Sequence, residues 1–163
     1  MWLVVMLYLG RHTERAIDEA QMAIELDPGY GPNHFQSGLA LCLARRFDEA
    51  IAAMRKAVEL TGSPTAQGGL GLALALSGNA VESRALLDRF HTMAARAYVP
   101  PTSFAWIHLG LGVIDEAIAW MDKAIDARDH MMTPIKTYPF LDPFRSDPRY
   151  LLLREVNLTP AET

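Results

Sequence analysis

The chain has 163 residues, half of them hydrophobic, and a formal net charge of −4. That length fits one ordinary domain, and charges scattered without a run of Lys or Arg argue against a nucleic-acid partner. The single cysteine, Cys42, can form neither an internal disulfide nor a cysteine-rich metal site, which fits a reducing, cytoplasmic setting.

The first nine residues, Met1 to Leu9, are apolar. They fall far short of the roughly 20 needed to cross a bilayer. No basic residue precedes them and no small-residue cleavage site follows, so a buried helix starting at the first residue is a better reading than a secretory signal. A longer parent chain cut just upstream would look the same. No membrane partner is expected. Further on, apolar spacing predicts helices over 14–26, 32–44, 48–60, 65–77, 80–97, 102–110 and 115–128, after a first over 2–9. Phe47, Ala50, Ile51, Met54, Ala57 and Val58 mark one face of the 48–60 helix, while Asp48, Glu49, Arg55, Lys56 and Glu59 occupy the other. Turns fall at 44–46, 77–79 and 110–112, and Pro100-Pro101 interrupts the pattern before 102.

A repeat underlies these helices. Ala16, Ala50, Ser83 and Ala117 are separated by 34, 33 and 34 residues. Seven residues later stand Ala23, Ala57, Phe90 and Ala124, and twelve before the last three stand Gly38, Gly71 and Ala105. The first unit has no clean counterpart there, because its turn, from Gly10 to Arg15, reads as one residue longer. Small side chains at fixed register let two helices of a unit cross closely. The pattern resembles the tetratricopeptide-repeat family, whose helix-turn-helix unit is about 34 residues long. Unit two matches best, through Gly38, Phe47, Ala50, Met54 and Ala57, and unit one adds Pro28. Gly62 and Asp129 depart at the family's proline position, and Ser83 and Phe90 are further departures in unit three. Phe90 at a small position suggests a wider junction between units three and four.

The resemblance implies an all-α, right-handed solenoid of four repeats over 1–130 (1–30, 31–64, 65–97 and 98–130), followed by a capping segment over 131–163. In that segment Tyr138 to Phe144 is proline-punctuated and aromatic, and Ser146-Asp147-Pro148 reads as the start of a helix over 148–156. It is similar to the closing segment of many bacterial arrays, and its expected role is to cover the apolar face of the last repeat.

The family's groove positions fall on Phe35, Leu39, Cys42, Gly68, Leu72, Thr102, Trp106 and Leu109. The same positions of carboxylate-clamp members carry Lys, Arg and Asn, and this chain has none there, so an apolar partner peptide or helix is expected. For Leu39, Leu72 and Leu109, groove and core weigh evenly; Phe35 and Trp106 lean toward the groove. Gly68-Gly69-Leu70-Gly71 lacks the Gly-Lys-Ser/Thr ending of a phosphate loop, and is read as close packing or as room for a ligand. His12, His34, His91, His108 and His130 show no i, i+4 pair and no HExxH. No nucleophile elbow is present. The reading is therefore a scaffold without catalytic residues, metal or cofactor.

The first helix is apolar on every side, from Trp2 through Leu9, where a terminal helix should have a polar face. Another copy, a different partner or an upstream repeat would each cover it. A homodimer through Trp2, Val5 and Leu9, with the adjoining face of helix 14–26, needs nothing outside the sequence and is the outcome expected.

Overall fold

The computed structural model describes residues 2–132, 136–145 and 148. Among these residues eight α-helices follow one another: α1 Trp2–Leu9, α2 Thr13–Leu26, α3 Gly31–Leu43, α4 Phe47–Thr61, α5 Pro64–Leu76, α6 Ala80–Ala94, α7 Pro101–Gly110 and α8 Ile114–Asp126. Two short 3-10 turns, His130–Met132 and Pro139–Phe144, close the described chain. Among the described residues there is no strand. The result is a helical-repeat solenoid. Every expected helix over 2–128 is present. The largest difference is at α6, which stops at Ala94 because the chain must turn to reach Pro101, at the start of α7. The expected helix over 148–156 lies outside the described residues, Pro148 apart.

Odd- and even-numbered helices have different burdens. In α5 every residue from Ala66 to Leu74 is buried, and in α7 every residue from Thr102 to Ile107. Such helices must be apolar or small all round. The outer helices bury one stripe only: Ala50, Met54 and Ala57 in α4, and Ala117, Met121, Ala124 and Ile125 in α8. This accounts for their clear amphipathic spacing.

The turns within units are all alike, and they correct the expectation for unit one. Residues 10–12, 44–46, 77–79 and 111–113 each join an odd helix to the even helix after it. In each, two backbone bonds close the helix end: Arg46 N–H to Leu41 O at 3.0 Å with Arg45 N–H to Cys42 O at 3.1 Å, and likewise His12 to Leu7 at 2.9 Å with Arg11 to Tyr8 at 3.1 Å. This is a Schellman closure, which places one residue in the left-handed region. Those residues are Arg11, Arg45, Gly78 and Gly112, with φ of 67°, 61°, 92° and 72°. The first turn is therefore no longer than the others. The counterpart of Gly38, Gly71 and Ala105 is Val4, which is buried; its size hid the register. A non-glycine residue costs about 1 kcal/mol at such a φ. Arg45→Gly, at an exposed position, is expected to raise stability by about that amount, measured by urea unfolding; an unchanged midpoint would show that the turn is unstrained.

Ala16, Ala50, Ser83 and Ala117 are all buried where the two helices of a unit cross. At the third crossing Ser83 Oγ donates to Gly71 O at 2.8 Å, so the polar substitute is satisfied without widening the contact. The junction of units three and four does differ. α7 packs chiefly on α5 and touches α6 little. Aromatic rings fill the space: Phe90 stands 5.3 Å from Phe104 between centroids, and Phe104 stacks on Trp120 at 4.1 Å.

Candidate interaction site

The residues expected to line an open groove are drawn together instead into the core between α3, α5 and α7. Leu39, Leu72 and Thr102 are fully buried and Trp106 is 1% exposed; Cys42, Gly68 and Leu109 are buried as well. The cause lies on α5. A Cβ added to Gly68 would stand 2.7 Å from Ser103 Cα, and one added to Gly69 would stand 2.7 Å from Phe35 Cε2. The bare backbone of α5 lets α7 approach on one side and the Phe35 ring lie on the other. Phe35 and Trp106 then meet at 5.6 Å between centroids. Of the two readings for the glycines, close packing is the one realised. Burial pushes the Cys42 thiol up to about 12, so it is a packing residue and not a nucleophile.

Phe35 is the one member of that group that also reaches an open cavity. This cavity, of about 620 Å³, lies between α1, the starts of α3 and α5, and the segment after α8. Trp2, Val5, Met6 and Leu9 supply one wall, a stripe at helical spacing along α1, while Val4 and Leu7 turn away into the core. Tyr30, Pro32, Phe35 and Gln36 supply the α3 side. His130, Met131 and Tyr138 form the opposite wall. No Lys, Arg, Asp or Glu is among the described lining residues. Trp2 and Met6, 74% and 65% exposed, stand at the rim. Thus Trp2, Val5 and Leu9, expected at a dimer contact, and Phe35, expected in a groove, belong to one surface.

Two of the polar groups around the cavity are fixed by neighbours, whereas the buried Tyr138 hydroxyl has no hydrogen-bond partner among the described residues. The Tyr8 hydroxyl donates to Gln36 Oε1 at 3.1 Å, and burial pushes its pKa up to about 12. The segment after α8 is anchored by Asp129, whose buried carboxylate accepts the Thr102 hydroxyl at 2.5 Å and the Met131 amide at 3.1 Å. Thr102, expected to face a partner, therefore holds the chain's own return. That return bears on the expected cap. His130–Met132 sits on α8, but Tyr138 reaches the first helix, where its ring meets Tyr8 edge to face. The proline-punctuated aromatic stretch was visible in the sequence; its destination, more than a hundred residues upstream, leaves no local signal.

Among the described residues no group of His, Cys, Asp and Glu is placed to hold a metal ion, and no helix is long and apolar enough to cross a membrane. A tetratricopeptide-repeat family model matches residues 34–98, from α3 through α6. Over these residues the chain carries the tetratricopeptide-repeat pattern. No curated protein matches it. The matched span covers units two and three, where the small residues Gly38, Ala50, Gly71 and Ser83 sit at the helix crossings just described. Tetratricopeptide repeats generally mediate protein–protein interaction, and the cavity offers such a partner an apolar, uncharged surface.

Proposed function

We propose that this tetratricopeptide array is a cytoplasmic protein-binding scaffold, not an enzyme, and that it takes an apolar segment or helix of a partner protein in the cavity between α1, α3 and the segment after α8. The observation that carries the reading is the cavity itself: about 620 Å³, without a charged side chain among its described lining residues, and rimmed by exposed Trp2 and Met6. A pocket of that size and composition suits an inserted aliphatic or aromatic anchor. Nucleic acid does not fit so uncharged a surface. Val5→Glu places a carboxylate in the wall. It is expected to abolish capture of partners from the source cell, while helix content by circular dichroism is kept. Retention of the same partners by the folded variant would overturn the cavity as the site.

A second reading is favoured by one observation. Trp2, Leu3 and Met6 on α1, and Met22 and Leu26 on α2, are all at least half exposed, an apolar patch of the kind that marks interfaces. A homodimer through Trp2, Val5 and Leu9 would cover it. Light scattering decides: a dimer that dissociates in Val5→Glu supports self-association, and a monomer at micromolar concentration ends it. Because the same stripe lines the cavity, dimer formation and partner capture would exclude each other.

A further inference from the structure

Residues 136–145 form a strap that returns across the open side of the array to its first unit. Tyr138 meets Tyr8 at 90° with ring centroids 6.5 Å apart. Four residues on, Asp142 Oδ1 accepts from Arg11 Nη2 at 2.8 Å. Leu141 between them is buried. The strap also holds its own bend: Arg145 Nε donates to Asp142 at 2.6 Å and its Nη1 donates to the Lys136 carbonyl at 2.9 Å. On the receiving side, Arg11 is fixed in the left-handed position of the first turn, just past the end of α1. Both members of the ion pair are nearly half exposed. A pair that open is held weakly and exchanges readily with water or another carboxylate.

We propose that Tyr8 and Arg11 form a docking site for an aromatic residue followed four positions later by a carboxylate, and that the chain's own strap occupies this site as a built-in competitor for a partner segment of the same pattern. The inference rests on the partner-binding reading above. Tyr138 is itself a wall of the cavity, so a segment entering there shares that wall or displaces it. The chemistry of the occupant is read from the strap: a ring against Tyr8, an apolar residue buried beneath, a carboxylate on Arg11. The described cavity lining carries no Lys, Arg, Asp or Glu, and Arg11 supplies the fixed charge beside it that sets the direction of a bound segment. A site filled part of the time by its own chain shows an apparent affinity reduced by the unfilled fraction.

The probe is a fluorescently labelled peptide of residues 136–145, titrated against the full chain by anisotropy. Arg11 and Asp142 are both exposed, so exchanging their charges spares the core. The Asp142→Arg chain, its strap released, is expected to bind the peptide roughly fivefold tighter than the unaltered chain, or more. Adding Arg11→Asp re-pairs the strap in reverse and should return binding to the weak level. A peptide carrying Asp142→Arg should prefer the Arg11→Asp chain over the unaltered one, an exchange of specificity that a merely structural ion pair would not produce. Equal binding by the unaltered and Asp142→Arg chains would overturn the competition while leaving partner binding in the cavity intact. Absence of binding by either peptide to any of these chains would overturn the docking site. In that event, partner capture that still depends on Val5 would show the scaffold reading to stand without it.

Discussion

Trp106→Ala is expected to lower stability by about 3–5 kcal/mol, a fall of roughly 10 °C in melting temperature for a chain of this length. The indole is 1% exposed and sits in α7 between buried Ser103 and Ile107, with its ring 5.6 Å from Phe35. Its removal leaves a void that α3, α5 and α7 all border. None of these helices can collapse into it without moving the others, so little of the cost is recovered. Thermal unfolding followed by circular dichroism measures the effect. A loss under about 1 kcal/mol, the range of surface substitutions, would put Trp106 on an accessible face and restore it to the groove.

Gly68→Ala tests the same packing from the opposite direction. The added methyl would stand 2.7 Å from Ser103 Cα and 3.1 Å from Ser103 O. Backbone atoms have no rotamer to adopt, so α7 must move away from α5. Overpacking of this kind costs about 1–3 kcal/mol, sometimes more, and it has to exceed the gain of about 1 kcal/mol in helix propensity of alanine over glycine. We expect a net loss of about 2 kcal/mol. Gly38→Ala is the control, because the atoms nearest its methyl all belong to the Met54 side chain, at 2.8 Å from Cγ and Cε, and a thioether can swing aside. A larger bulk at Gly38, such as Gly38→Leu, exceeds what Met54 can yield. The expected order of melting temperature places Gly68→Ala below Gly38→Ala. The reverse order would show that the α5–α7 contact is the more compliant one.

These residues also mark where the sequence was legible. Small side chains at Ala16, Ala50, Ser83 and Ala117 recur because helices of a unit cross there in every repeat, and that period alone predicts the helices to within a turn. Unit one was harder to register because Val4 stands where the others have Gly38, Gly71 and Ala105; only the backbone bonds of the Gly10–His12 turn show that it is the same motif. The groove residues were legible in identity but not in exposure. A repeat register says which way Leu39, Leu72 and Trp106 point, whereas the distance to the next helix decides whether they meet solvent. Here Gly68 and Gly69 set that distance, and they closed it. The strap was legible only as composition, since aromatic residues separated by prolines indicate burial without indicating where.

That long reach has a consequence for the order in which the molecule is completed. Most helix contacts join α-helices that are neighbours in the chain, so during synthesis each helix can settle on its predecessor soon after it emerges. The bond between Arg11 and Asp142 spans 131 residues and must wait until the strap has been made. By then the intervening helices are assembled, and closing the circuit no longer requires ordering a free loop of that length. Within this array α1 precedes every other helix and is the last to be finished, so Trp2, Leu3 and Met6 stand beside an unclosed edge until the strap arrives.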